Sequence, residues 1–223
     1  MPKFDPKVIT EAGGTKVYSV SILLESVTAG RPADPKMFET LVRLQAKKGA
    51  PGTAEYEAVV AQRLGESVPP AEADAADENA PIRREFQRLD GRPCVRGYQV
   101  FACLREALTT MAGNSPGYFS AYDAFKRGIY VTPDLIPLAA EAPPELRYSA
   151  GHILGPQGER SILKASEVVV NAGAAFSIRV APGVPQVYFT REAVAKLLEV
   201  AGGIGLGSDR TLGSGRFQVI VGP

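Results

Sequence analysis

The sequence predicts an α+β fold, and three observations carry that prediction. Lys16 to Ala29 is rich in β-branched and apolar residues, and its middle is continuously apolar, as in a central strand. Ala174 to Ala181 sets Phe176, Ile178 and Val180 against Ser177 and Arg179, the alternation of a half-buried strand. Two segments instead repeat apolar residues at helical spacing: Val100, Leu104 and Leu108, then Val194, Leu197, Leu198 and Ala201. Placed in order, these segments read strand, helix, strand, then strand, helix, strand. That alternation suits a ferredoxin-like or RNA-recognition-motif-like core.

The remaining elements follow from local signals. Met1 to Gly14 reads as a loose arm, and Asp34-Pro35 opens a short helix through Leu44. Residues 46–81 differ in character: they end in an acidic, alanine- and proline-rich tract with little to bury, so they read as an excursion from the core. A short helix is expected within it, near Ala54 to Leu64. The segment before the excursion is too short to fold alone, so the chain is expected to form one domain, 1–223, carrying 46–81 as an insertion. Tyr98 to Met111 is a helix, Ile129 to Val131 a strand, Ala139 to Gly158 a loop, and Gln186 to Phe189 a short strand. Thr190 is placed to cap a helix that Gly202 and Gly203 stop. Phe217 to Val221 closes the chain as a strand.

Composition excludes several classes. The 223 residues carry 45% hydrophobic and 22% charged residues, enough for a sizeable core. No run approaches the ~18 apolar residues that a membrane span requires, so no membrane partner is expected. The opening residues lack a signal-peptide h-region. Two cysteines, Cys94 and Cys103, make no disulfide framework, and a reducing cytoplasm is expected. One histidine and two cysteines do not supply a zinc site, so neither metal nor cofactor is expected. Net charge is +1, so any nucleic-acid surface must be local.

The stretch Gly202 to Gly215 is the most unusual. Six glycines fall in its fourteen positions, between a helix and the closing strand. Such a cluster serves positive φ or close approach, and bare backbone N–H groups would suit phosphate. No Gly-Lys-Ser/Thr follows, which excludes a Walker loop, and a Rossmann loop would open a helix rather than a strand. A connection without a ligand stays open beside the phosphate-binding reading. Arg210 could add a bidentate phosphate contact. Upstream, Arg83, Arg84, Arg88, Arg92, Arg96 and Arg105 form a basic span that either tracks phosphates or is a solvated face. Gly97 and the helix it opens make a second possible anion site. Tyr118, Phe119, Tyr122 and Phe125, interleaved with Lys126 and Arg127, read either as core or as a base-stacking surface. His152 reads as a bystander or as a general base, and Asp34 as a helix cap.

Three stretches, in this order, resemble the RAMP superfamily of CRISPR-associated proteins. Pro93 to Arg105 looks like that family's Ile-Pro-Gly-Ser-Ser-Leu-Lys-Gly-x-Leu-Arg helix start, matching in kind at Gly97, Ala102, Leu104 and Arg105, with Phe101 where lysine is usual. Glu167 to Phe176 looks like its Gly-Thr-x-Phe approach to a long strand. Gly205-Leu206-Gly207, five residues including Arg210, then Gly213-Ser214-Gly215 follows its C-terminal glycine-rich pattern. The resemblance implies a single RAMP-like domain with a thumb-like insertion, acting as an RNA-binding backbone subunit of a CRISPR effector ribonucleoprotein. Such a subunit grips single-stranded guide RNA by its phosphate chain and assembles along it with sister copies and other effector subunits, with target DNA or RNA as a further partner. The residues implied in RNA binding are Arg96, Gly97, Tyr98, Gln99, Arg105, Gly205, Gly207, Ser208, Arg210, Gly213 and Gly215. The resemblance implies no catalytic role beyond two candidates, His152 and Asp34, the latter roughly where some of the family's backbone subunits carry a loop aspartate that cuts target RNA, with Pro35 after it. A histidine in the N-terminal half, usual in the family's processing members, is absent. Two alternatives remain: a stand-alone single-stranded nucleic-acid-binding protein of a mobile element, and a RAMP-type endoribonuclease.

Overall fold

The computed structural model describes residues 7–11, 14–33, 39, 53–65, 82–113, 118–155, 158–185 and 188–220. Among them the elements are, in chain order, β1 (Lys7–Thr10), β2 (Lys16–Thr28), β3 (Arg31–Pro32), α1 (Ala54–Gly65), β4 (Ile82–Glu85), β5 (Gln87–Leu89), β6 (Arg92–Arg96), α2 (Gly97–Ala112), α3 (Tyr118–Gly128), β7 (Ile129–Thr132), β8 (Leu135–Pro137), β9 (Glu145–Gly155), β10 (Gly158–Val180), α4 (Arg191–Ile204) and β11 (Phe217–Ile220). They fall into two compact units. The first takes Met1–Thr28, Arg88–Pro144 and Val168–Pro223; the second takes Ala29–Gln87 and Glu145–Glu167.

The first unit is built on a sheet whose strand order is the signature of its fold. From Val168 onward β10 runs antiparallel to β2, in register from Val168 opposite Thr28 to Val180 opposite Lys16. The other edge of β10 carries β7, with Ser177 opposite Thr132. The other edge of β2 carries β11, with Phe217 opposite Leu24, and β1, with Lys7 opposite Ser19. The order is therefore β11–β2–β10–β7. β2 and β7 are parallel to each other with β10 between them; β10 and β11 are parallel with β2 between them. Helix α2 makes the first crossover and α4 the second, which is the ferredoxin-like α+β arrangement the alternation predicts.

Each element forms where its pattern lets it bury a face. On β2, Tyr18, Val20, Ile22 and Leu24 are all buried, one side of the pleat. On α2 the buried stripe is Val100, Cys103, Leu104 and Ala107, and on α4 it is Val194, Leu197, Leu198 and Ala201. The helices meet where Cys103 Sγ donates to the Ala201 carbonyl at 3.4 Å. Burying each such Leu or Val contributes about 1.5–3 kcal/mol relative to exposure. Thr190 caps α4 as expected, accepting from the Ala193 amide at 3.2 Å.

Several boundaries differ from the expectation. α4 runs through Gly202 and Gly203 to Ile204 and stops at Gly205, which has φ +89°. Gly202 lies inside the helix because a Cβ there would come within 2.4 Å of the Phe217 carbonyl on β11. Its small size permits close helix–strand packing instead of ending the helix. β10 is one strand of 23 residues. The strand is expected only over Ala174 to Ala181; upstream of it Val170 stays opposite Ser26 and Ala172 opposite Leu24, so Asn171 takes a positive φ of 50° without shifting the register. Lys7–Thr10, expected as part of a loose arm, pairs with β2. Residues 139–158, expected as a loop, contain all of β9, which pairs with β10. Tyr188 and Phe189 are not in a strand. Phe189 is buried, and its carbonyl accepts the Tyr18 hydroxyl at 2.6 Å.

In the second unit β4 pairs parallel with β10, with Ile82 opposite Lys164, and β3 pairs antiparallel with β4. The buried Glu167 carboxylate accepts the Phe86 amide at 2.9 Å. The excursion expected over 46–81 falls in this unit. Its predicted helix is α1, with Tyr56 and Val60 buried. Residues 46–52 and 66–81 lie outside the described residues, as does the helix expected over 34–44 apart from residue 39. No helix among the described residues is long and apolar enough to cross a membrane.

Candidate nucleic-acid interface

The glycine-rich loop of the first unit lies between the end of β2 and helix α2. The Gly215 amide donates to the Ser26 carbonyl at 2.6 Å, the Ser208 amide to the Thr28 carbonyl at 3.1 Å, and the Ser214 and Thr28 hydroxyls bond at 2.7 Å. These contacts pin both arms of the loop to the last residues of β2. At its tip Arg210–Leu212 forms one 3-10 turn, closed by the Gly213 amide donating to the Arg210 carbonyl at 2.9 Å.

This geometry corrects the sequence-based reason for the glycines. The amides of Gly205, Leu206, Ser208, Leu212, Gly213, Ser214 and Gly215 all donate to carbonyls of the chain itself. They are not the bare donors that a phosphate cradle needs. The glycines serve the loop's own path. Gly215 has φ +81°, and a Cβ on it would sit 1.8 Å from the Leu206 carbonyl oxygen. Gly207 has φ +79°, with the Thr28 carbonyl 2.9 Å from where its Cβ would be. A side chain is excluded at both positions by geometry and by conformation.

Arg210 projects from the turn toward α2, where its Nη1 meets Glu106 Oε2 at 2.6 Å. The two side chains are 37% and 51% exposed. An exposed pair of this kind contributes about 0–1 kcal/mol, so a phosphate can displace the carboxylate at small cost. Arg105, next along α2, is exposed and has no ion-pair partner among the described residues. Arg216 is exposed directly after the loop and was missed by the sequence reading. The signal for it was its place immediately after Gly213-Ser214-Gly215.

At the second predicted locus, the start of α2, the amides of Arg96 and Gly97 are engaged by the protein. The Gly97 amide donates to the Asp134 carbonyl at 2.7 Å, and a Cβ on Gly97 would crowd the Val131 and Pro133 carbonyls at 3.0 and 3.1 Å. Gln99 folds back, its Oε1 accepting the Arg96 amide at 2.8 Å. Gly97 and Gln99 therefore hold the helix start. The side chains left facing solvent are Tyr98 and, in part, Arg96, whose Nη2 meets Asp134 Oδ2 at 2.9 Å. Of the basic span, Arg83 and Arg84 belong to the second unit, where Arg83 pairs with Glu85 at 2.9 Å, and Arg88, Arg92, Arg96 and Arg105 belong to the first. Among the aromatics, Phe125 is fully buried against Phe101 and Phe189, with ring centroids 4.9 and 6.3 Å away, so it belongs to the core.

Asp34 lies outside the described residues, and His152 falls on β9, not in the expected loop. Burial pushes the Cys103 thiol up to about 12, against the opposing pull of the nearby Arg210 guanidinium. Cys103 is therefore protonated at neutral pH and no nucleophile.

No family model matches the chain, and no curated protein sequence matches it. Among solved structures it is similar to a chain of the type III-B Cmr-beta complex bound to cognate target RNA, at 10% identity and a TM-score of 0.49, over 92% of this chain and 59% of that one. It thus spans under two thirds of that chain's length. It is also similar to Cas6 in two product complexes. One likeness has 10% identity, a TM-score of 0.26 and coverage of 91% of this chain and 99% of the other. The second has 16% identity, a TM-score of 0.23 and coverage of 92% and 99%. The ferredoxin-like fold rests on the strand order of the first unit.

Proposed function

We propose that this protein is an RNA-binding backbone-type subunit of a CRISPR effector ribonucleoprotein, holding single-stranded guide RNA and assembling along it. The observation that carries the reading is the join between fold and loop. In a ferredoxin-like unit, a glycine-rich loop fastened to the end of β2 sets Arg210 against Glu106 of α2, the helix that also carries the exposed Arg105. The resemblance of Pro93–Arg105, Glu167–Phe176 and Gly205–Gly215 to RAMP segments supports the same reading, since the first and third of these stretches supply the exposed cations. The grip proposed here runs through arginine side chains more than through backbone amides, because most of the loop's amides are engaged. The role is binding, not cleavage.

Titration of long single-stranded RNA at several salt concentrations tests this. Binding should weaken as salt rises, and Arg105→Ala and Arg210→Ala should each reduce the slope of log affinity against log salt by about 0.7, the value for one phosphate contact on a single strand. Absence of binding, even with partner subunits present, sinks the proposal. Sequencing of copurified nucleic acid separates its two forms: a uniform guide indicates the effector subunit, and heterogeneous strands a stand-alone binder.

A further inference from the structure

We infer that Tyr98 is a nucleobase-stacking residue, its ring held in a fixed pose by Arg96 and Asp134. The inference rests on the RNA-binding reading and adds a contact that reads the base instead of the phosphate. Tyr98 is 60% exposed although both of its chain neighbours are pinned. The Gly97 amide is bonded to the Asp134 carbonyl, and the Gln99 side chain closes back on the Arg96 amide. The aromatic side chain therefore projects from an immobile stretch of backbone, and little conformational entropy remains to be lost when a ligand stacks on it.

The ring is also loaded on one side. The Arg96 guanidinium sits 5.5 Å from its centroid, within cation–π range. Asp134 fixes that guanidinium through a 2.9 Å ion pair, while Arg96 Nε is buried with no hydrogen-bond partner among the described residues. The guanidinium is thus held over the ring at the expense of an unmade bond. Most of the ring stays in solvent, as a flat surface for a base. Arg105 lies seven residues further along α2, on the same side of the helix, about 10 Å away at 1.5 Å rise per residue. A strand with one base on Tyr98 can place a neighbouring phosphate at Arg105.

The chain contains no tryptophan, so Tyr98→Trp introduces a single indole at the proposed contact. Adding poly(U) should quench that fluorescence as the strand binds. Tyr98→Ala should weaken poly(U) binding about tenfold, the order found for removing one stacking aromatic, and leave the salt slope unchanged because no phosphate contact is lost. On an abasic ribose-phosphate oligomer, wild type and Tyr98→Ala should bind equally. Arg96→Ala should lower poly(U) affinity less than Tyr98→Ala and lose its effect in the Tyr98→Ala background. Strong binding of poly(U) without quenching, or a Tyr98→Ala defect of equal size on the abasic oligomer, overturns the stacking role while the RNA-binding reading stands. Failure of the wild-type protein to bind any strand removes both.

Discussion

The loop of Gly205 to Gly215 and the start of α2 at Arg96 to Gln99 look alike as sequences: glycine beside arginine, next to a helix. They differ in what each leaves outside. In the loop, backbone amides bond to the loop's own carbonyls and to the end of β2, and its arginine is met by Glu106. At the helix start the Arg96 and Gly97 amides are likewise engaged, but an aromatic ring is left in solvent beneath a guanidinium. Glycine content therefore does not measure how many amides face a ligand. It measures how closely backbone must pass backbone, and the ligand-facing chemistry resides in the few side chains that such closure holds still.

Four substitutions sharpen this contrast, beyond those already described. The largest effect is expected for Gly215→Ala. A Cβ would overlap the Leu206 carbonyl in a positive-φ conformation, so a loss of about 3 kcal/mol or more is expected. Chemical denaturation would measure it, and a mild effect would show that the loop does not pass this close. Next comes the adjacent helical pair. Gly202→Ala should destabilise by about 1–3 kcal/mol because its Cβ meets the Phe217 carbonyl, whereas Gly203→Ala meets nothing and should stabilise by about 0.5–1 kcal/mol. Melting temperatures that move the same way for both would refute the packing role given to Gly202. The smallest effect is expected for Glu106→Gln. It frees Arg210, so RNA affinity should rise a few-fold while stability changes by less than about 1 kcal/mol. Unchanged affinity would mean that Arg210 does not meet the strand.

The sequence made the secondary elements legible wherever burial imposes a period. β2, α2, β7, α4 and β11 all appear near their expected limits, because a strand or helix with one buried face must repeat apolar residues at its own spacing. It misled where a residue's role depends on a distant neighbour. Gly202 and Gly203 look like a stop, and only the position of Phe217 explains why Gly202 is tolerated inside the helix. The strand expected over Ala174 to Ala181 extends back past Asn171, and only the unbroken register with β2 shows it. Tyr98 was legible as the first residue of a helix and, through the resemblance, as an RNA-binding residue, but its exposure and the guanidinium above it depend on Asp134, 38 residues away in sequence from Arg96.

What the sequence determined by itself is the ferredoxin-like alternation and the placing of a glycine-rich turn before the last strand, since both follow from local periodicity and local conformational preference. What the tertiary structure decided is which polar groups those elements consume and which they leave outside. Hydrogen bonds between residues far apart in the chain, such as Gly215 to Ser26 and Gly97 to Asp134, close donors that look open in sequence. A donor's availability is a property of its partners in space, and no local pattern encodes it.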